Sequence, residues 1–475
     1  MLTFLRRTLS SAFDNDSGKY YIDFSEERNI KGEIRFQPAQ LLALSFIAAI
    51  FIGTFLLMLP FSTCAGESIS FMDALFTSTS AVCVTGLIVQ DTASYFTPMG
   101  QMVILMLFQL GGLGIMAFST LILLVAGKKI SIQDKIIIQQ DYHHTAAKNV
   151  KSLIKNIFFY AIAIEGIGTL FLFVKWHGKF RGPKGLFYSV FHAISAFCNA
   201  GFSVFGDSLE SFRGDVWTNI TIMSLIVLGS LGFLVLSEST DLFSRIIRRR
   251  ERKMSLHSKM VWIMTLFLII FPFISFLMIE WDRSLQGFSL KEKILASLFQ
   301  VITPRTAGFS TMELGSLHPA AIFLLISLMF IGASPGSTGG GVKTSTIGVI
   351  FAFIKSRIAA RESVNIFYRT LPLELVTKAF TVVVLSICVI FLSCAILFLT
   401  QSGMSMEETF FEVFSAFGTV GLSMGKTAKL NSVGKAVIIF TMFIGRIGPL
   451  TFLYAFSREK AFGKFEYVEE NVMIG

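Results

Sequence analysis

The stretch AFCNAGFS, residues 196–203, ends an apolar run with Asn199, Gly201 and Ser203, small and polar residues where lipid-facing sequence would continue apolar. A related string, ITPRTAGFST, occupies 302–311, and two weaker echoes, SAVCVTGL and SAFGTVGLS, begin at Ser80 and Ser415. Aligned on one glycine each, Gly86, Gly201, Gly308 and Gly421, the four lie 115, 107 and 113 residues apart. Ten residues before each glycine stands Phe76, Phe191, Leu298 or Phe411; one residue after it stands Leu87, Phe202, Phe309 or Leu422. Ile88, Ser203, Ser310 and Ser423 follow. One feature therefore occurs four times in one orientation, the pattern of a structure assembled about an axis normal to a membrane. With four units, that axis can be a pore.

Composition places the chain in lipid. Hydrophobic residues make up 53% of its 475 positions and charged ones 15%, and the mean hydropathy is +0.68, far from the balance of a soluble domain. Runs long enough to cross a bilayer, roughly 20 residues each, fall at 39–60, 99–126, 156–175, 216–243, 258–280, 317–357 with a break, 373–400 and 433–457. The expectation is an all-α integral membrane protein of eight crossings, in four repeats of helix, re-entrant half-helix with filter loop, and helix. The boundaries are a tail at 1–37, pore repeats at 38–126, 156–243, 258–357 and 372–457, the third with a broken second helix, and a tail at 458–475.

Charge orients these crossings. The hairpin 61–98 has no Lys or Arg, whereas 127–155 carries Lys128, Lys129, Lys135, Lys148, Lys151 and Lys155, and RIIRRRERK begins at Arg245. By the positive-inside bias the basic loops and both tails are cytoplasmic, in a cell (inner) membrane. Topology and contact with lipid headgroups account for these basic runs, and nothing in them points to nucleic acid. The polar N-terminal segment, with six basic and six acidic residues and no long apolar run, does not resemble a cleavable signal peptide. The cysteines, Cys64, Cys83, Cys198, Cys388 and Cys394, have neither metal-ligand spacing nor a disulfide framework.

The apolar segments before the four glycines run only about ten to twelve residues, too short to span and suited to re-entrant half-helices. Three open with a capping-box pattern, Ser70 with Asp73, Ser289 with Glu292 and Ser405 with Glu408; the fourth has Gly185 at the equivalent place. Half-helices starting at the outer surface aim their partly negative C-terminal ends at the bilayer centre, where they stabilise a cation. The extended return must keep its carbonyls in a hydrated or protein-lined cavity, and glycine permits the backbone angles that turn them to an axis. Val84, Thr85 and Gly86; Asn199, Ala200 and Gly201; Thr306, Ala307 and Gly308; and Thr419, Val420 and Gly421 are thus the candidate filter wall, with a dehydrated monovalent cation at the glycine carbonyls. Read singly, each glycine is better explained by helix packing or a turn; four in register argue for the filter.

The run GASPGSTGGGVKTST, 332–346, nearly spells a phosphate-binding loop, but Val342 separates Gly341 from Lys343 and no βα unit surrounds it. Its proline and glycines, Gly332, Pro335, Gly336, Gly339, Gly340 and Gly341, together with Ser334, cannot sustain a lipid-exposed helix. The run is expected to interrupt the sixth crossing and line the water path. Arg446, in FIGRIGPLT, sits mid-helix in the eighth crossing, where a charge faces a cavity or a partner. It follows Gly421 by 25 residues, as Gly332 and Ala333 follow Gly308 by 24 and 25, so it is expected at the depth of the loop, either tied to helix-end carbonyls or as a fixed positive charge to which Lys343 adds. Six histidines, His192 and the pair His143 and His144 among them, show no spacing for haem or a catalytic metal, and Glu165 and Glu238 near the ends of crossings stay unassigned.

With the pieces SAVCVTGL, FCNAGFS, TPRTAGFST, GTVGLS, GASPGSTGGGVKTST and FIGRIGPLT, the chain resembles the Trk/Ktr/HKT superfamily of potassium-translocating subunits over about residues 38–460. Eight crossings with no additional N-terminal pair resemble the bacterial Ktr membrane subunit more than the ten-helix Trk form. The resemblance implies a homodimer with one pore per protomer, a cytoplasmic RCK-type ring of nucleotide-binding regulatory subunits, and a loop beneath the filter that obstructs the pore. It maps the filter glycines onto Gly86, Gly201, Gly308 and Gly421, and an all-glycine filter argues by resemblance for potassium. The expected activity is potassium uptake, with no covalently bound cofactor and not an enzymatic reaction. Two alternatives stand beside it: a sodium-permeable or sodium-coupled transporter of the same fold, and a multi-pass membrane enzyme or electron carrier, for which no ligand pair or acid, base and nucleophile cluster is found.

Overall fold

The computed structural model describes residues 37–64, 69–115, 117–118, 150–180, 182–247 and 254–456, within the unit that begins at Gln37. The expected tails, most of the basic loops and the pair His143 and His144 lie outside the described residues.

Each repeat opens on a long apolar helix: α1, Pro38–Met58; α4, Val150–Trp176; α8, Leu256–Glu280; and α12, Leu373–Thr400. All four are long and apolar enough to cross a bilayer unbroken. They leave Phe51, Phe55, Ile162, Phe271 and Phe391 exposed, as a lipid solvent requires and water would penalise.

The half-helices follow: α2, Phe71–Val82; α5, Pro183–Cys198; α9, Leu290–Ile302; and α13, Met406–Gly418. Reciprocal capping boxes start α9 at Ser289 and α13 at Ser405. At α2 the bond runs one way, from the Asp73 N–H to the Ser70 hydroxyl at 3.1 Å. The second half-helix corrects the expected start at Gly185: its N-cap is Gly182 (φ 72°), Pro183 fills the first turn, and the helix runs 16 residues. Proline is preorganised for that position and has no N–H to leave orphaned.

Phe76, Phe191 and Phe411 are fully buried, but Leu298 is only partly so, and Phe299 takes the buried place in the third repeat. Alignment on the glycine is therefore off by one there: counted from the buried aromatic, the glycine comes nine residues on in the third repeat and ten in the others.

The second helices differ most from expectation, because the break foreseen only in the sixth crossing recurs in all four. α3, Pro98–Leu113, ends at Gly114 (φ 84°). α6, Val216–Leu231, turns by 106° through Gly232 (φ 93°) into α7, Phe233–Ile247. α10, Pro319–Phe330, and α11, Thr344–Ile358, flank the glycine-rich loop. α14, Ser432–Ile447, turns by 96° through Gly448 (φ 93°) into α15, Pro449–Phe456.

The sequence signal is a Gly-x-x-Gly pair, 111 with 114, 229 with 232 and 445 with 448. A Cβ on the first glycine would run into the carbonyl oxygen of Val82, Phe197 or Phe417 at the end of a half-helix; the second takes the left-handed φ that ends the helix. A short hairpin, β1 (Val364–Ile366) with β2 (Arg369–Leu371), joins α11 to α12.

Candidate ion pathway

Three half-helices end alike. In α2, the Thr85 N–H bonds the Ser80 carbonyl at 2.7 Å and the Val84 N–H the Ala81 carbonyl at 3.0 Å; Ala200 with Ser195 and Asn199 with Ala196, then Val420 with Ser415 and Thr419 with Ala416, repeat the pair. This is a Schellman end, whose outer residue must be left-handed. Val84 (φ 57°), Asn199 (58°) and Thr419 (50°) are so, though two of them are β-branched. The third repeat, one residue shorter, closes with an Ala307 N–H to Thr303 carbonyl bond of 2.9 Å and Thr306 at φ 69°. Strain of this kind costs about 1–3 kcal/mol per residue and persists where the surroundings enforce it.

Two residues on, Gly86, Gly201, Gly308 and Gly421 are again left-handed, at φ 90°, 71°, 76° and 91°. They form a closed ring. A Cβ on Gly86 would lie 2.5 Å from the Ala200 carbonyl oxygen, one on Gly201 3.1 Å from that of Ala307, and one on Gly308 2.6 Å from that of Val420. One on Gly421 would come closer still to Thr85. Each glycine thus abuts the carbonyl of the next repeat, in the order one, two, three, four and back to one, with no room for a side chain. The final turns of α2, α5, α9 and α13 carry no basic residue, so nothing there opposes the negative ends of four helix dipoles.

Behind the ring stands a polar shell. His192 receives the Ser203 hydroxyl at Nε2, 3.0 Å, while its Nδ1 bonds the Tyr188 carbonyl at 2.8 Å. Glu412, fully buried, accepts from the Ser423 hydroxyl at 2.6 Å and the Met424 N–H at 3.0 Å, and also from Thr427. Glu165, left open by the sequence, receives the Gln109 amide at 3.0 Å. Glu238 receives the Ser255 hydroxyl at 2.8 Å and so braces the start of α8.

The glycine-rich loop lies against the ring on the side where the half-helices end, at Thr306, Gly418 and Thr419. Gly332 pairs with Val342 (2.9 Å) and Ala333 with Gly340 (3.3 Å). The Ser334 N–H donates to the Ser230 carbonyl, and the Ser334 hydroxyl meets that of Thr344 at 2.9 Å. Pro335 and Gly336 pack over Gly232, and the Phe233 N–H donates to the Gly336 carbonyl at 2.9 Å. Gly339 sits against the Thr306 side chain, the Gly340 N–H donates to the Thr419 hydroxyl at 3.0 Å, and the Gly341 N–H to the Gly445 carbonyl at 3.1 Å. The Lys343 ammonium returns to the Gly339 carbonyl at 2.7 Å.

Thr338, which the sequence reading passed over, is the hub. Its N–H bonds the Gly229 carbonyl, its hydroxyl lies 3.1 Å from the Phe197 carbonyl, and the Asn199 amide donates to it at 3.2 Å. No signal in a run of small residues singles out this threonine.

Arg446 is not mid-helix: it occupies the last turn of α14, two residues before Gly448. Its guanidinium donates to the Thr338 carbonyl of the loop and to the Gly111 carbonyl of α3, joining the first, third and fourth repeats at one level. A second cation also escaped the sequence reading. Arg305 beside α9 is 1% exposed, and among the described residues its side chain makes one bond, 3.3 Å to the Thr265 hydroxyl.

This architecture has counterparts. The chain matches the family described as TrkH, cation transport protein, over residues 24–466. It is 40% identical to the Ktr system potassium uptake protein B of Bacillus subtilis over 444 residues, 93% of this chain and 98% of the relative. To the potassium/sodium uptake protein NtpJ of Enterococcus hirae it is 38% identical over 93% and 98%. The crystal structure of the potassium transporter TrkH from Vibrio parahaemolyticus shares the fold at a TM-score of 0.71 and 20% identity, covering 90% of this chain and 87% of that one. Broken second helices, four inward half-helices and a match along nearly the whole chain have one common explanation: this multi-pass membrane protein belongs to the Trk/Ktr family of cation transport proteins, a family of transporters and not of enzymes.

Proposed function

We propose that the chain takes up potassium across the cell membrane through the ring at Gly86, Gly201, Gly308 and Gly421. The observation that carries this reading is the closed cycle in which each glycine abuts the carbonyl of the next repeat. Such a ring of backbone oxygen replaces the water of a monovalent cation without any acidic ligand, and a ring held at potassium distance compensates the smaller sodium ion poorly. The two relatives named for potassium support it.

The loop 332–346 serves as the constriction beneath the filter, and Arg446 and Lys343 add positive charge that raises the barrier to a passing cation. The chain works as a homodimer, its cytoplasmic face controlled by a ring of RCK-type nucleotide-binding subunits; its kinship with a protein named for a Ktr system favours this arrangement. Both termini and the basic loops face the cytoplasm. Sodium is the second reading, favoured by the potassium/sodium name of the Enterococcus hirae relative.

The deciding experiment is ion flux in proteoliposomes of the purified chain under an imposed voltage, with potassium and sodium compared. Potassium flux well above sodium flux is expected. Equal fluxes favour the sodium reading, and no cation flux with or without the cytoplasmic partner overturns both.

A further inference from the structure

The hydroxyls at the back of the four filter strands do not all do the same thing. In repeats one and four the oxygens of Ser80 and Ser415 accept from the glycine itself, the Gly86 N–H at 3.0 Å and the Gly421 N–H at 3.1 Å. In repeats two and three the equivalent side chains donate one residue further out, Ser195 to the Phe202 carbonyl at 2.8 Å and Thr303 to the Phe309 carbonyl at 2.6 Å. All four hydroxyl-bearing residues are buried. Among the described residues no hydroxyl donates to the carbonyls of Leu87 and Leu422, which follow their glycines as Phe202 and Phe309 follow theirs. Residue identity follows the split: leucine after the glycine in repeats one and four, phenylalanine in two and three. Because repeats one and four adjoin in the ring, as do two and three, the difference divides the outer filter into two halves.

We propose that Ser195 and Thr303 are positioning residues that make the outermost cation level lopsided, an inference that rests on the filter reading above. A carbonyl that accepts a short bond from a buried hydroxyl is fixed in direction and has one lone pair occupied. At this level a cation arriving from outside finds unengaged backbone oxygen only on the Leu87 and Leu422 side, and keeps its water on the Phe202 and Phe309 side. Full dehydration, and with it discrimination between potassium and sodium, is deferred to the levels inward, at the ring glycines and at Thr85, Ala200, Ala307 and Val420, whose carbonyls meet the neighbouring glycine in the same order around all four repeats. The outer level then loads a partly hydrated ion weakly, as conduction requires of a site an ion must also leave.

The test is potassium uptake by proteoliposomes of the full chain, with KM, maximal rate and sodium competition measured on monodisperse protein of matched melting temperature. Ser195→Ala with Thr303→Val frees two carbonyls and is expected to lower the potassium KM by about threefold to tenfold, the scale of one net hydrogen bond, with sodium competition unchanged. Ser195→Thr and Thr303→Ser keep the hydroxyl and the original KM. Ser80→Ala with Ser415→Ala leaves glycine N–H groups unpaired and is expected instead to weaken discrimination against sodium. If the two alanine or valine pairs shift KM and sodium competition alike, or if Ser195→Thr and Thr303→Ser behave as Ala and Val do, the inference is overturned; should the double variant fail to fold, the Thr303→Val single variant decides in the same way. An unmoved KM in a potassium-selective protein sinks this inference alone, whereas failure of ring-glycine substitutions to alter selectivity sinks the filter reading itself.

Discussion

At the level of the ring glycines, four segments as unlike as CVTG, CNAG, RTAG and GTVG adopt one backbone, with a left-handed residue two positions before a left-handed glycine each time. A helical turn deeper the repeats part company. Three second helices break at a single glycine, Gly114, Gly232 or Gly448, while the third repeat inserts a whole loop between Ile331 and Thr344 that touches the strands leading to the ring glycines of repeats two, three and four. On the proposed filter reading, recognition of a spherical ion asks for similar oxygens from all sides, so the ring tolerates almost any side chain provided the main chain is the same. On the proposed gate reading, a barrier that can be raised or lowered needs one movable part, and fourfold symmetry would supply four. The upper region is therefore specified by φ angles and the lower one by a single insertion and its ties.

The strongest way to break the comparison is to disturb one strand of the ring. Gly86→Ser places a side chain on the Ala200 carbonyl and a non-glycine at φ 90°, and its preference for potassium over sodium is expected to fall about tenfold or more, equivalent to ~1.4 kcal/mol. Potassium and sodium uptake measured on folded variant will show it; unchanged selectivity at all four glycines would mean that the ring is packing only.

Next in size is the loop. Arg446→Gln removes charged donors from the Thr338 and Gly111 carbonyls, and shortening the loop by deleting Gly339 and Gly340 withdraws it from Thr306 and Thr419. Both changes are expected to raise basal potassium flux, the first at a stability cost of about 1.5–3 kcal/mol per charged hydrogen bond. Steady flux from liposomes holding matched amounts of folded protein is the measurement; lower or unchanged flux in both leaves the loop as structure and not a gate.

The smallest effect sharpens the upper half, where α9 and α13 have reciprocal capping boxes and α2 and α5 do not. Ser405→Ala is expected to cost about 1 kcal/mol. The Ser405 N–H, aided by Lys426, holds the Glu408 carboxyl below its ordinary range. A lowered carboxylate stabilises fully above its unfolded value and ceases to do so as pH falls through the folded one. Acidification should therefore destabilise the native chain more than a Glu408→Gln variant, whose amide oxygen can still accept from the Ser405 N–H but does not titrate, a difference that thermal melts at neutral and acid pH will resolve; equal losses would exclude the box as the source.

Much of this was legible in residues alone. The fourfold glycine register, the half-helices and the lipid-facing helices follow from composition, period and capping pattern, because hydrophobic length and backbone freedom are local properties. The Gly-x-x-Gly pairs were equally visible, yet 216–243 and 433–457 read as continuous spans because apolar content runs through a bend without interruption. Only the half-helix end that each first glycine must approach gives those pairs their meaning.

Sequence by itself determined the membrane class, the number of repeats and which backbone positions had to be glycine. Tertiary structure alone decided that Phe299 and not Leu298 is the buried match in the third repeat, that Thr338 is the hub of the loop, and that Arg446 bridges residues 335 and 108 positions away in the chain. The physical reason is range: a φ angle or a helix length is set by a residue and its near neighbours, whereas the partner of a carbonyl in the membrane interior is whichever donor the packing of distant segments delivers, and an unpaired one costs too much there to leave the choice open.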